Sequence, residues 1–349
     1  MKHRLKAYAQ TIAGKNTKAS IDHNVPPLSQ LLKYLTFVLI AAIIFGWYIV
    51  IGPSSSYTKG QFDQRQNAVW AQHAWSEQKH TPEEIRDFVE TLGKNHIRYA
   101  YLHVGPLESD GRISPERYAQ LSEFLKVARM YSDRIMYIPW LGQIRNKLPL
   151  DSLAVRTNIV NMTKIFVNDF NMSGVHFDIE PIVDNDSDFL FLLEDVRKAI
   201  GSDKIISVAL SEYFPSSVIF VVRKFMHVSD SLSREYLRKI DSLANQLVIM
   251  TYENSIRDGR FYRYFLKNEI IWLTNILKES KLIIGLPTYD TESDTFHPKA
   301  ENIDFGLRGV IDGLSSWRSR REVFEGVALY GYWTTEKKEW DTMNVLFLN

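Results

Sequence analysis

The chain has 349 residues, 45% of them hydrophobic, with a formal net charge of +1 and no cysteine. That length suits one large domain or two ordinary ones, and an α/β barrel alone takes roughly 250 residues. Balanced charge with no basic stripe beyond the first residues argues against a nucleic-acid partner, and the lack of cysteine excludes disulfides, thiolate metal sites and cysteine nucleophiles.

Residues 1–33 carry Lys2, Arg4, Lys6, Lys15, Lys18 and Lys33 against a single acid, Asp22. Residues 34–51 follow as YLTFVLIAAIIFGWYIVI, and no charge occurs between Lys33 and Lys59. A helix rising about 1.5 Å per residue through this stretch and its flanks crosses a hydrocarbon core of roughly 30 Å. Trp47 and Tyr48 sit near one end, where an interfacial aromatic belt belongs. The basic flank keeps residues 1–33 cytoplasmic and sends the remainder outside, so the expectation is a single-pass signal anchor over 34–51. A cleaved signal peptide competes with it, but the preceding segment is long and Gly52-Pro53-Ser54 makes a poor cleavage site. Residues 52–66 read as a short polar linker.

From residue 67 to 349, short β-rich runs alternate with amphipathic helical stretches, the pattern of parallel strands with helices packed outside. Eight strands are predicted: Ala68–Ala74, Ile97–Val104, Ile135–Trp140, Gly174–Ile179, Ile205–Leu210, Leu247–Tyr252, Leu282–Leu286 and Val327–Tyr332. Thr81-Pro82-Glu83-Glu84 is a capping box with proline in the first turn, and Ser114-Pro115-Glu116 starts the next helix in a similar way. Further helices are expected over Leu153–Asp169, Phe189–Ile200, Tyr262–Glu279 and Ile303–Ser319. The long connection Ser211–Gln246 contains Val218-Ile219-Phe220-Val221-Val222 followed by Arg223 and Lys224; it reads as an elongated fifth helix or as a lid over the mouth. Eight strands joined by helices, without a glycine-rich phosphate turn, predict a closed (β/α)8 TIM barrel preceded by a single transmembrane helix.

Chemistry concentrates in Ser173-Gly174-Val175-His176-Phe177-Asp178-Ile179-Glu180-Pro181. With a period of two, Val175, Phe177 and Ile179 face the helices, while Gly174, His176, Asp178 and Glu180 face the barrel interior. Two inward carboxylates are costly in a strand unless they sit at the C-terminal mouth, where barrel enzymes hold catalytic groups. Close together they cannot both ionise readily, so one keeps the proton that a general acid needs. Salt bridging or capping of the next helix is the plainer role for such a pair. Trp70, His73, Trp75, Tyr101 and His103 can reach the same mouth, and core packing accounts for them equally well. No histidine pair has zinc spacing with a carboxylate, and no cofactor or metal is expected.

Three later segments join this one: Met250-Thr251-Tyr252-Glu253 ending strand six, Gly285-Leu286-Pro287-Thr288-Tyr289 ending strand seven, and Gly326-Val327-Ala328-Leu329-Tyr330 as strand eight. In order and spacing they resemble glycoside hydrolase family 18, the chitinase and endo-N-acetylglucosaminidase group. Its motifs are D-G-x-D-x-D-x-E on strand four, M-x-Y-D on six, G-x-P-x-Y on seven and a tryptophan on eight. The resemblance spans the chain from about residue 67 to 349. It implies Glu180 as proton donor, and Asp178 as the group that orients the 2-acetamido group of the substrate, which itself attacks the anomeric carbon. It also implies Tyr252 as a hydrogen-bond partner of that acetamido group. Met250, Trp140, Tyr289, Tyr330 and Trp333 would line the sugar site, with Glu253 reaching a hydroxyl from the position of the usual aspartate.

The chain departs from the pattern in several places. Ser173 and His176 replace the first two aspartates, Tyr330 replaces the stacking tryptophan, and Ile138-Pro139-Trp140-Leu141-Gly142 lacks S-x-G-G. His176 is expected beside Asp178, holding it ionised if protonated and hydrogen-bonding it if neutral. The expected function is a membrane-anchored, extracytoplasmic, retaining glycosidase for N-acetylhexosamine glycans. A glycan-binding barrel that does not cleave, and an anchored scaffold of the cell envelope, are the alternatives.

Overall fold

The structure, a computed structural model, describes residues 28–51, 57–217, 219 and 231–349, with the backbone alone for 47–51. Most of the basic segment, part of the linker and nearly all of the run from Val218 to Lys224 lie outside the described residues. The chain divides into two compact units, Met1–Gly52 and Pro53–Asn349.

In the first unit, helix α1 (Leu28–Ile51) begins before the expected Tyr34. Its stretch Leu28–Gly46 is long and apolar enough to cross a membrane by length and composition, and none of it is buried. Leu35, Phe37, Ile43 and Phe45 are all more than half exposed, so the apolar surface runs round the helix without a polar face.

The second unit is a closed barrel of eight parallel strands in chain order, a (β/α)8 fold. The strands are β1 (Asn67–Ala71), β2 (Ile97–Pro106), β3 (Met136–Ile144), β4 (Gly174–Glu180), β5 (Ile205–Ser211), β6 (Gln246–Met250), β7 (Lys281–Pro287) and β8 (Phe324–Tyr330). Between them stand α2 (Ala74–Glu77), α3 (Pro82–Lys94), α4 (Leu121–Tyr131), α5 (Leu153–Lys164), α6 (Ser187–Ile200), α7 (Arg234–Leu243), α8 (Gly259–Ile276) and α9 (Ile303–Ser315), with α10 (Lys337–Leu346) after β8. Every predicted strand exists, and each is displaced by a few residues at most. The predicted capping box holds: Thr81 accepts from the Glu84 N–H, and the Glu84 carboxylate accepts from the Thr81 N–H.

Several elements differ from expectation for local reasons. Strand one stops at Ala71, because residues 74–77 turn into α2 with His73 at its cap, so neither His73 nor Trp75 is on a strand. Ser114-Pro115-Glu116 opens only a short 3-10 turn, Pro115–Tyr118, and α4 starts after it without a side-chain cap. The predicted Leu153–Asp169 helix relaxes into a π turn from Ile165 to Asp169. In the long connection α7 is capped by Ser233, and most of Val218–Lys224, on which the expected elongated fifth helix or lid rests, lies outside the described residues. Residues 57–66 do not behave as a free polar linker. Phe62 and Asp63 are buried, Tyr57 donates to the Leu346 carbonyl, and Asp63 accepts from His96 Nδ1 at 2.5 Å. Gln64 donates to the Phe324 carbonyl at the start of β8, so this segment covers the N-terminal end of the barrel.

Alternation along the strands creates two cores. Val175, Phe177 and Ile179 of β4 belong to the large layer between strands and helices, while Trp70, Tyr101, Ile138, Trp140, Val248, Ile283 and Ala328 fill the lumen. Gly285 belongs to this lumen packing, since a Cβ there would come within 3.1 Å of the Trp70 ring and of the Ile249 carbonyl.

Candidate active site

Strand β4 carries its inward side chains from the barrel floor to its mouth, and they divide into two environments. His176 is the deeper one, fully buried. Trp70 Nε1 donates to its Nε2 at 3.0 Å, and its Nδ1 lies 2.9 Å from Ser207 Oγ. An indole N–H can only donate, so Nε2 is the acceptor and the ring proton sits on Nδ1, facing Ser207. Tyr101 stacks flat on the imidazole with centroids 3.9 Å apart. Burial lowers the His176 pKa to about 3, so the ring is neutral. This corrects two expectations. His176 neither pairs with Asp178 nor offers a ring nitrogen to a substrate, because both nitrogens are already committed inside the barrel.

Two and four residues further on, the strand reaches the mouth. Trp140, paired with His176 across β3 and β4, donates its Nε1 proton to Asp178 Oδ2 at 2.9 Å. Asp178 Oδ1 is buried without a partner. Ser211, at the end of β5, donates to Glu180 Oε1 at 3.3 Å. Burial raises the pKa of Asp178, and its hydrogen bonds with the Trp140 indole and with Glu180 oppose the rise. Burial also raises Glu180, and the neighbouring Asp178 carboxyl and Glu212 push it higher. Both carboxyls are thus pushed toward the protonated form, Glu180 further than Asp178.

An aromatic wall stands opposite. Tyr252 follows β6, its hydroxyl buried and unpartnered, and its pKa is raised by burial and by Tyr330, Asp178 and Glu180. Tyr330 stacks on Tyr252 at 5.3 Å, while Trp70, Trp140, Tyr289 and Trp333 all approach Tyr330 at 5.4–6.3 Å between centroids. Gly331 makes the Trp333 contact possible, since a Cβ there would meet that ring at 2.3 Å. Trp333 is the most open of these rings at 40% exposure. Met250 packs half-buried against the lumen core.

Glu253 is exposed and accepts from the Tyr289 hydroxyl at 3.1 Å. Its φ of 65° lies in the left-handed region, unusual for a non-glycine residue, and the buried Glu301 carboxylate holds it there by accepting its N–H at 2.7 Å.

The structure thus gathers Asp178, Glu180, Trp140, Met250, Tyr252, Tyr289, Tyr330, Trp333 and Glu253 around one mouth. His176 and Trp70 lie beneath it. His103 packs edge-on against Trp140 at 4.5 Å and is held neutral, its pKa lowered to about 4 mainly by burial. Trp75 is elsewhere: it sits among Phe88, Phe124 and Tyr332 outside the strands, stacked on His80. Ser211 and Glu212 were missed in the sequence, although a polar pair ending a strand was the same signal that marked Asp178 and Glu180. The loop after β4 is rigidly held. Asp186 caps α6, receives Arg145 through two nitrogens at 2.6 and 3.0 Å, and its carbonyl accepts from the Tyr236 hydroxyl. Among the described residues no group of three or more acidic or histidine side chains is placed to hold a metal ion.

No protein-family model matches the sequence, and no curated protein matches it either. Solved structures do share the fold. The spore cortex-lytic enzyme SleL of Bacillus cereus aligns with a TM-score of 0.58 at 10% identity, over 83% of this chain and 76% of that one. The Group IV chitinase of Ostrinia furnacalis gives 0.54 at 10% identity, over 80% of this chain and 98% of its own. A chitinase from Chromobacterium violaceum gives 0.54 at 12% identity, over 80% and 97%. At such identities the likeness is one of fold.

Proposed function

We propose that this chain is a glycoside hydrolase acting on glycans that contain N-acetylhexosamine, held at a membrane by α1 with its barrel on the extracytoplasmic side. The observation that carries the reading is the division of labour between two carboxyls at one strand end. Glu180 is held protonated by burial and a like charge, and Asp178 is oriented by the Trp140 indole with one oxygen left unpaired.

In this reading Glu180 donates its proton to the glycosidic oxygen as the bond to the anomeric carbon breaks. No second carboxylate is required as nucleophile, because the substrate's acetamido oxygen attacks that carbon from the opposite face and forms a cyclic oxazolinium ion. The free oxygen of Asp178 accepts the acetamido N–H and offsets the positive charge that develops there. The Tyr252 hydroxyl donates to the acetamido oxygen. Water then opens the ring with Glu180, now ionised, as base, and the anomeric configuration is retained. Tyr330 and Trp333 present ring faces for the apolar side of the sugar. The fold shared with chitinases and a cortex-lytic enzyme supports the substrate class, and the apolar span Leu28–Gly46 supports the anchor.

The test uses the full chain in detergent with a panel of N-acetylhexosamine oligosaccharides, beside Glu180→Gln. Cleavage with retained configuration that disappears in the variant is the expected result. Binding without cleavage by the unmodified protein assigns the barrel to glycan recognition instead. Activity in Glu180→Gln equal to that of the unmodified protein removes Glu180 from the role of acid.

A further inference from the structure

Behind Glu180 the mouth holds three more buried carboxyls that the reaction above does not use: Glu212 after β5, Glu269 in α8 and Glu301 before α9. Two have evident structural tasks. Glu269 Oε1 accepts the Tyr213 N–H at 2.7 Å, and Glu301 accepts the N–H groups of Glu253 and Ile256 at 2.7 and 2.8 Å. They fix the loops that follow β5 and β6. Among the described residues Glu212 has no comparable task, and its carboxyl is met by its own backbone N–H. It is 8% exposed, and it lines a cavity of about 10 Å³ together with Glu180, Ser211, Ile182 and Leu232. That volume is at the threshold for one water, and Glu180, Ser211 and Glu212 are the polar residues of its lining.

We propose that Glu212 is a positioning residue for the acid: across this cavity, through one water, it shares the Glu180 proton and keeps that carboxyl neutral as the pH rises. The inference rests on the reading of Glu180 as proton donor. Its physical basis is the cost of placing two negative charges in one poorly solvated pocket, so the first ionisation delays the second. Among the described residues the groups bearing on Glu180 are Asp178 on its own strand, Ser211 at the end of β5 and Glu212 after it, and Tyr252 and Tyr330 across the mouth. Glu301 and Glu269 bear on Glu212 from the other side, and burial raises Glu212 itself to about 8. A neutral glutamine at 212 removes both the stored proton and the like charge. Glu180, still coupled to Asp178, must then ionise at lower pH.

The experiment is a ¹³C-glutamate NMR titration of the full chain in detergent, with the Glu180 and Glu212 resonances assigned by their loss in Glu180→Gln and Glu212→Gln. In Glu212→Gln, Glu180 is expected to titrate roughly 1 pH unit lower. The alkaline limb of kcat/KM should move by the same amount while kcat at its plateau changes little. A folded Glu212→Gln with an unmoved Glu180 titration overturns the proposal. Coupled carboxyls titrate in two macroscopic steps that both resonances report, so Glu180→Gln must reduce the Glu212 curve to a single step, a measurement that does not need Glu212→Gln to fold. A Glu212 curve unchanged there also overturns it. If the unmodified protein cleaves no glycan yet both titrations shift, the catalytic reading falls and the coupling stands.

Discussion

Two layers of one lumen, two strand residues apart, are built on opposite rules. In the floor layer every polar atom of His176 is answered, by Trp70 on one side and Ser207 on the other, with Tyr101 stacked on the ring. In the mouth layer Asp178 Oδ1 and the Tyr252 hydroxyl are buried and unanswered. A satisfied buried network stabilises a barrel, whereas unsatisfied groups at a strand end cost stability and are kept where a ligand completes them. Both layers are polar and both lie on the inward face of β4. Their partners alone distinguish a structural histidine from the pair of carboxyls proposed to be catalytic.

Substitutions in the two layers should therefore diverge. The largest effect is expected at the mouth, where Glu180→Gln or Asp178→Asn lowers kcat/KM by ~10²–10⁴-fold while the thermal midpoint stays the same or rises. A loss of fold comparable to the loss of activity in these variants would break the contrast. Tyr252→Phe removes the proposed donor to the acetamido oxygen and should cost on the order of 10²-fold in kcat, again without loss of stability. At the floor the pattern reverses. His176→Phe keeps the stack on Tyr101 but strands the Trp70 N–H and Ser207, so unfolding in denaturant should show a loss of about 1–3 kcal/mol.

The smallest and sharpest difference is in pH dependence. His176 has its folded pKa depressed to about 3, so the unfolded chain binds more protons between that value and the usual histidine pKa of about 6.5. Its contribution to stability is complete above about 6.5 and is lost as the pH falls, by up to about 1.4 kcal/mol per unit. Glu180 and Glu212 have raised folded pKa values, so their contribution is complete below about 4.3 and is lost as the pH rises through those values. The slopes oppose one another between pH 4.3 and 6.5. Subtracting the denaturation series of His176→Phe from that of the unmodified protein should leave a positive slope across pH 3 to 6.5; a flat difference would place His176 in a more solvated setting.

Most of the barrel was legible in the residues. The period of two in Val175, Phe177 and Ile179 put those side chains against the helices and sent Asp178 and Glu180 inward, because the pleat alternates whatever the neighbours are. The capping box at Thr81 was equally local. Where the first strand ends was not legible: Ala-Gln-His-Ala-Trp continues the apolar pattern, but Trp75 has an aromatic pocket outside the barrel between Phe88 and Phe124, and α2 turns it there. Tyr57 to Gln66 reads as linker by composition and packs as the barrel's lower cover through hydrogen bonds to residues hundreds of positions away. Pattern carries information over one or two turns of chain, and those contacts have no local signature.

By itself, then, the sequence determined an apolar span ahead of a barrel and a pair of carboxyls at the mouth, since hydropathy and strand alternation are properties of neighbours in the chain. Only the tertiary structure decided the state of those groups. Trp140 comes from β3, Ser211 from the end of β5, Glu212 from just after it and Trp70 from β1, and their approach to β4 sets how far each carboxyl is pushed toward its protonated form and why the histidine never meets it. Burial and proximity between strands shift a pKa, and neither exists until the barrel closes.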